Sequence, residues 1–217
     1  MLYKRYLKQS AFLFKSIGIG AVIPIAVIYV IIPFLNYCSY AKYGISDSLY
    51  NNIISYTQLF IPFFSALWSV LALREFIEGE GNEVLYINTR KIYLIFIDYL
   101  AAFFILLIPL YAVYYSLFEN MKLEFIKIMI ECILFNSIIY AMMFLLNSVA
   151  IALSISIIYT IYSFFHCFLG EGINIAYINL SNANYTILLD TYVPMLIISV
   201  VIFAVAAVKS SRCFCFT

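Results

Sequence analysis

Long apolar stretches, separated by a few clusters of charged and polar residues, dominate the pattern of this chain. A helix that crosses a hydrocarbon core about 30 Å thick needs roughly 20 consecutive apolar residues. Measured against that length, the pattern predicts six membrane-spanning helices. We place them near residues 17–37, 54–73, 92–117, 126–146, 149–169 and 189–208.

The boundary between the fourth and fifth spans lies inside a stretch that contains no charge. The uncharged residues from Cys132 to Gly170 are about twice as many as one crossing requires. The chain must therefore turn within them, and Asn147 and Ser148 are the most polar residues near the middle. We predict the turn at these two residues.

Composition and charge agree with a membrane protein. The chain is 66% hydrophobic and 11% charged, whereas soluble domains average roughly 45–50% apolar and about 25% charged residues. A formal net charge of +1 excludes the strongly basic balance of a nucleic-acid-binding protein. The five cysteines are odd in number and scattered, so no disulfide framework is predicted. We predict an all-α integral membrane protein, in which residues 1–217 form a single transmembrane domain.

The flanks of the spans predict how the chain is oriented. Residues 1–16 combine basic and apolar positions, which is typical of an amphipathic interfacial segment. A cleaved signal peptide is the alternative, but the following apolar run is too long and no cleavage site follows it. Lys and Arg are more frequent on the side of the N-terminus than on the other, where Lys42, Lys122 and Lys127 lie. We expect a multi-pass protein of the cell membrane with cytoplasmic N- and C-termini.

The segments 38–53 and 170–188 are rich in Tyr, Asn and Ser. We expect them to be non-spanning caps at the headgroup level of the outer face. The frequent use of Ile, Asn, Tyr, Phe and Lys, which AT-rich codons encode, favours a bacterial source of low GC content.

The loop 74–91, between the second and third predicted spans, is the most charged part of the chain, and its acids outnumber its bases. Gly79 and Gly81 are expected to end the preceding helix, because glycine weakens helices and permits turns. Asn82 is a suitable N-cap for a short helix at residues 84–89. The sequence therefore predicts an acidic surface with a short helix at the cytoplasmic face.

This loop resembles the corresponding part of the permease subunit of ABC-2 type ABC exporters. The resemblance rests on Arg74-Glu75, Glu78-Gly79, Asn82-Glu83-x-Leu85 and Arg90-Lys91, together with six spans and an amphipathic N-terminal segment. It implies that the short helix is a cytoplasmic coupling helix that docks on an ATPase subunit. The docking residues that it implies are Glu78, Gly79, Glu80, Gly81, Asn82, Glu83, Val84, Leu85 and Tyr86.

No motif predicts an enzyme in this chain. It has no G-x-x-x-x-G-K-[ST] phosphate loop, no H-E-x-x-H and no G-x-S-x-G. A single histidine without clustered carboxylates does not make a metal site. We therefore predict no catalytic residue, metal or cofactor here, and expect a cytoplasmic ABC ATPase partner to bind ATP and Mg²⁺. The other expected partners are a second permease copy or a homologous permease, and membrane lipid.

Two acids, Asp98 and Glu131, are placed well inside predicted spans, where ionisable groups are costly and face a cavity or a partner. The alternative for Asp98 is a structural ion pair with Arg90 or Lys91. The alternative for Glu131 is a side chain that snorkels to the outer surface. Polar stripes at helical spacing, for which helix packing is the alternative, complete the candidates for a translocation path: Asp98, Glu131, Asn136, Ser156 and Thr160.

The function that we predict is the permease subunit of an ATP-driven exporter, acting as a dimer. Its spans are apolar and aromatic with few internal charges, which favours an amphipathic or hydrophobic substrate such as a peptide or a lipid-like molecule. The alternative is a stand-alone polytopic membrane protein, either a gradient-driven carrier or a membrane scaffold. Carriers usually show broken helices and buried charge pairs near the bilayer midplane.

Overall fold

The computed structural model describes residues 18–79, 92–169 and 184–212, which form helices and turns without any strand. The helices are α1 (Val22–Tyr43), α2 (Asp47–Glu78), α3 (Ile92–Leu117), α4 (Met121–Leu146), α5 (Val149–Leu169) and α6, built from Tyr185–Ile187, Leu188–Tyr192 and Val193–Arg212. A short 3₁₀ turn, Gly18–Ala21, precedes α1. The predicted interfacial segment 1–16 and the predicted coupling helix lie outside the described residues.

Five of these helices, namely α1, α2, α3, α4 and α6, are long and apolar enough to cross a membrane. Helix α5 is also apolar, but its side chains are described only from Val149 to Tyr162. The predicted class, an all-helical multi-pass membrane protein, thus agrees with the described residues. The count of six spans stays a prediction.

The segment 38–53, predicted as a cap at the headgroup level, is almost entirely helical. α1 continues to Tyr43 and α2 begins at Asp47, so only a tight turn separates them. Gly44 makes this turn at φ +62°, a conformation that glycine adopts without steric cost. Ser46 then caps α2, because its Oγ accepts a hydrogen bond from the Leu49 N–H at 3.4 Å.

At its other end, α2 is also longer than predicted and continues to Glu78. Its 32 residues, at about 1.5 Å each, exceed the thickness of the hydrocarbon core. The chain becomes extended at Gly79, as the sequence predicted. A Cβ atom there would lie 2.4 Å from the carbonyl oxygen of Glu75, so only glycine fits without a shift of the backbone.

The predicted turn between α4 and α5 is confirmed at Asn147 and Ser148. Asn147 is left-handed, with φ 47° and ψ 36°, a region that asparagine tolerates better than most residues. The Ser148 Oγ accepts a hydrogen bond from the Ile151 N–H at 3.4 Å and so caps α5. The end of α4 at Leu146 and the start of α5 at Val149 match the predicted spans.

Two helices contain a π-helical segment, Val27–Ile31 in α1 and Leu188–Tyr192 in α6. Each of these segments ends two residues before a proline, Pro33 or Pro194. A proline ring clashes with the carbonyl of the preceding helical turn, and a locally widened helix accommodates the freed backbone groups. Both irregular segments therefore have a cause in the sequence, although the spans alone did not predict them.

Helix α4 is the centre of the bundle. Of the 18 most apolar consecutive residues of each helix, 72% are buried in α4, 17% in α6 and 33% in α3. Helix α4 packs most extensively against α2 and α6. Because the helices alternate in direction, the turns at residues 44–46 and 118–120 lie at one end of the bundle, and the turn at 147–148 lies at the other. We call these the 118–120 end and the 147–148 end.

Candidate functional site

Three charged residues of α4 lie inside the bundle. Glu124, Lys127 and Glu131 are only 2%, 1% and 1% exposed, and no other charged side chain in the described residues is buried. Their spacing of three and four residues places them on one face of the helix. We call these three residues the charged cluster. It extends from the first turn of α4 at the 118–120 end to about 15 Å along the helix, near the middle of a membrane core.

The outer part of the charged cluster is an ion pair. Lys127 Nζ lies 3.4 Å from Glu124 Oε2. The Tyr50 hydroxyl of α2 donates a hydrogen bond to Glu124 Oε1 at 3.3 Å. Lys127 Nζ also lies 5.8 Å from the ring centre of Tyr192 on α6, within the range of a cation–π contact. The ammonium and the first carboxylate thus compensate each other's burial.

The inner carboxylate has a different environment, made of neutral donors. Gln58 Nε2 of α2 donates to Glu131 Oε1 at 3.3 Å, and the Tyr192 hydroxyl of α6 donates to the same oxygen at 3.1 Å. Glu131 Oε2 and Gln58 Oε1 are buried without a hydrogen-bond partner. Glu131 therefore joins three helices, and it retains unused acceptor capacity in an interior where unpaired polar atoms are costly.

Asn136, another candidate for the translocation path, lies in the packing interface between α4 and α2. Its Nδ2 donates to Ser65 Oγ at 2.7 Å and to the Cys132 carbonyl at 2.8 Å, and its Oδ1 accepts from Ser69 Oγ at 2.7 Å. The residue is completely buried. Its amide is satisfied within the bundle, which supports the helix-packing alternative.

The remaining path candidates do not join this site. The Ser156 and Thr160 hydroxyls donate to carbonyls of their own helix, those of Leu153 at 2.7 Å and Ser156 at 2.8 Å. Asp98 is exposed on α3, toward the 147–148 end, whereas the charged cluster begins at the opposite end. Its proposed partners Arg90 and Lys91 lie outside the described residues.

The snorkelling alternative for Glu131 is wrong, since this carboxylate is buried and bonded to α2 and α6. Lys127, interpreted from the sequence as a flanking lysine of the outer face, is buried as well. Glu124, Lys127, Gln58 and Tyr192 were missed as site residues. If the start of α4 had been placed at residue 121 instead of 126, the spacing of the three charged residues would have shown that they lie on one face of the helix.

Two of the predicted docking residues are described. Glu78 Oε1 accepts a hydrogen bond from the Val149 N–H at 2.9 Å, and Glu78 Oε2 lies 3.6 Å from Arg74 Nε in a partly exposed pair. Glu78 thus ties the end of α2 to the start of α5, while Gly79 ends α2. The other docking residues, from Glu80 to Tyr86, lie outside the described residues.

No family model matches this chain, and no curated protein or solved structure matches it either. The described residues contain no group of His, Cys, Asp and Glu that could hold a metal ion. Fold and site together define a multi-pass helical membrane protein that keeps an ion pair and a third ionisable group in its core.

Proposed function

We propose that this chain is the permease subunit of an ATP-driven exporter, energised by a separate cytoplasmic ATPase that docks on the loop 74–91. The observation that carries the proposal is how α2 presents this loop. The helix continues past the membrane length to Glu78, and the Val149 N–H holds the Glu78 carboxylate at 2.9 Å. The acidic segment therefore begins from a fixed helix end, which suits a docking surface.

Helix α2 also connects the docking loop to the core, so that a movement of the loop would be transmitted to α4. It contacts α4 through Tyr50 and Glu124, through Gln58 and Glu131, and through the two serines that bond Asn136. These contacts follow one another along most of the helix. A displacement of its cytoplasmic end would therefore act on the whole length of α4. In this proposal the loop 74–91 and both termini are cytoplasmic, as the distribution of Lys and Arg predicts.

The position of the translocation path follows from the packing around α4. The polar groups of the core bond mainly to one another, whereas α3, α5 and α6 expose large apolar side chains. Examples are Ile105, Ile158 and Val205, which are 66%, 66% and 65% exposed. A path for an amphipathic or lipid-like substrate is better accommodated along these apolar faces than through the core. A second permease copy would then supply the opposite wall.

The proposal is tested by the variant Glu83→Lys, studied in cells together with the ATPase. The change replaces an attraction by a repulsion and puts a cation near the start of the predicted coupling helix, each worth about 1 kcal/mol or more. We expect normal membrane insertion, because the apolar spans and basic flanks are unchanged, but loss of ATPase co-purification and of export. The matched control is Lys42→Glu, a charge reversal at an exposed position of the 118–120 end, which should retain both. Retention of both by Glu83→Lys would refute the docking assignment.

A gradient-driven carrier is the second candidate, and the charged cluster specifically favours it. Buried ionisable groups in membrane proteins mark ion and proton pathways, and carriers have interrupted helices near their binding sites; here the charged cluster lies beside the π segment of α6. The chain reconstituted alone in lipid vesicles distinguishes the two functions. A carrier would move its substrate under an imposed ion gradient, whereas the exporter subunit would be inactive until the ATPase and ATP are added.

A further inference from the structure

The charged cluster contains two carboxyl groups and one ammonium group, all buried. If both carboxyl groups were ionised, the core would hold one uncompensated negative charge. Such a charge is strongly unfavourable in a low-dielectric interior, where buried ions need a partner. One more positive charge is required to make the cluster neutral.

Geometry identifies which carboxyl group lacks compensation. Glu124 has the ammonium of Lys127 at 3.4 Å, whereas the donors to Glu131 are the neutral amide of Gln58 and the hydroxyl of Tyr192. Two acceptor atoms at this position, Glu131 Oε2 and Gln58 Oε1, have no donor. The position therefore lacks a hydrogen-bond donor, and the cation that acts on it, Lys127, is already paired with Glu124.

We propose that Glu131 is a proton-binding site, whose carboxyl group is protonated at neutral pH with the proton on Oε2. One proton makes the charged cluster neutral and supplies a donor among acceptors that lack one. A metal ion fits poorly, because it would need several oxygen ligands and would be repelled by Lys127. The proposal rests on the burial and bonding of these side chains, and it holds for either transport function.

The ionisable groups that face Glu131 come from three packed helices. Glu124, Lys127 and Cys132 lie on its own helix, Tyr192 lies on α6, and Tyr111 of α3 is close enough to interact with it electrostatically. Gln58 of α2 is polar but does not ionise. Among these groups Lys127 is the only cation, and it is already compensated by Glu124. None of the neighbours therefore removes the need for a proton on Glu131.

In this proposal, the proton on Glu131 exchanges with the solvent at the 118–120 end of the bundle. The charged cluster leads from that end to Glu131 in steps of about one helical turn. Tyr192 covers it, because its hydroxyl bonds Glu131 and its ring faces Lys127. This tyrosine ends the π segment Leu188–Tyr192, a kind of irregularity that is frequent at functional sites. A local shift of α6 would thus admit water to Glu131.

Infrared spectroscopy of the full-length chain in lipid tests the protonation directly, because a protonated carboxylic acid has a carbonyl band distinct from those of carboxylates and amides. We expect this band in the wild type at neutral pH, its loss in Glu131→Gln, and its retention in the control Glu119→Gln, which removes an exposed carboxylate at the same end of the bundle. The variant Glu131→Asp keeps an acid and should shift the band, which gives a second test if Glu131→Gln does not fold. Absence of the band from the wild type, or its unchanged presence in Glu131→Gln and Glu131→Asp, would overturn the proposal.

Discussion

The two ends of the bundle are stabilised by different interactions. Toward the 147–148 end, aromatic rings fill the core: Tyr140 lies 4.8 Å from Phe96, 4.7 Å from Phe144 and 5.2 Å from Phe203, measured between ring centres. Toward the 118–120 end, the core contains the charged cluster and the hydrogen bond from Asn36 Nδ2 to Tyr114 Oη at 2.5 Å. Both halves have an apolar core, but among the described residues only the half toward the 118–120 end contains buried charges.

This difference shows which half can respond to its surroundings. A core of aromatic rings keeps the same charge, whereas a buried carboxyl group next to an ion pair can gain or lose a proton. Helix α2 contributes to both halves and ends at the acidic loop. In the proposed transporter, the aromatic half would be the rigid part that receives force, and the half with the charged cluster would be the part with more than one state.

The largest effect is expected from Lys127→Met, which removes the only cation of the charged cluster. Glu124 then stays buried without compensation, and breaking a buried pair in this way costs about 3–5 kcal/mol. Unfolding in detergent, followed by circular dichroism, measures the loss. The matched control Lys122→Met, at an exposed position of the same helix, should change stability by less than about 0.5 kcal/mol. Equal effects of the two substitutions would contradict the burial of Lys127.

A smaller effect is expected from Asn136→Leu, which removes the hydrogen bonds between α4 and the two serines of α2. Interhelical hydrogen bonds in membranes contribute roughly 0.6 kcal/mol on average and up to about 1.7 kcal/mol. We therefore expect a loss of about 1–2 kcal/mol in the same unfolding assay. Ser154→Ala is the control, because Ser154 is exposed and bonds only the Ala150 carbonyl of its own helix; a loss of the same size there would weaken the assignment.

The hydrogen bond between Glu78 and Val149 should contribute about as much as a helix cap, or about 1 kcal/mol. Glu78→Ala should therefore speed amide hydrogen exchange in the first turn of α5. Glu78→Gln retains an acceptor oxygen and should leave the exchange nearly unchanged. If both variants behave like the wild type, Glu78 does not tie α2 to α5.

The smallest effect is expected in the aromatic half. Tyr140→Phe removes the hydrogen bond to Ser210 Oγ, which is 3.0 Å long, and keeps the ring contacts. We expect a loss of about 0.6 kcal/mol, the average for such bonds. Tyr140→Leu, which removes the ring contacts as well, should cost more. If Tyr140→Phe destabilised the chain as much as Lys127→Met, the contrast between the two halves would not hold.

Features fixed by local backbone chemistry could be predicted from the sequence. Asn147-Ser148 provides a left-handed residue and a cap, and Gly79 is required where its Cβ would touch the preceding turn. The ends of α3 and α5 also matched the predicted spans. These features depend on neighbouring residues in the chain.

Features that depend on other helices could not be predicted in the same way. The polar residues at 38–53 were interpreted as a cap at the headgroup level, but a helix can continue through such a segment when its polar side chains find partners, as Tyr50 does with Glu124. Lys127 was assigned to the outer flank because a charge near a span end is usually solvated. Its burial depends on Glu124 and Tyr192, which the spans alone do not bring together.

The burial of the charged cluster of α4 in the bundle interior is the feature on which both proposals about the core depend. Chemical labelling of primary amines in the folded wild-type protein, quantified by mass spectrometry, tests it without any substitution. The exposed Lys122 should be labelled readily, whereas Lys127, five residues further along α4 and 1% exposed, should be labelled only after denaturation. Equal labelling of the two lysines in the folded protein would contradict the claim and place Lys127 at the membrane surface.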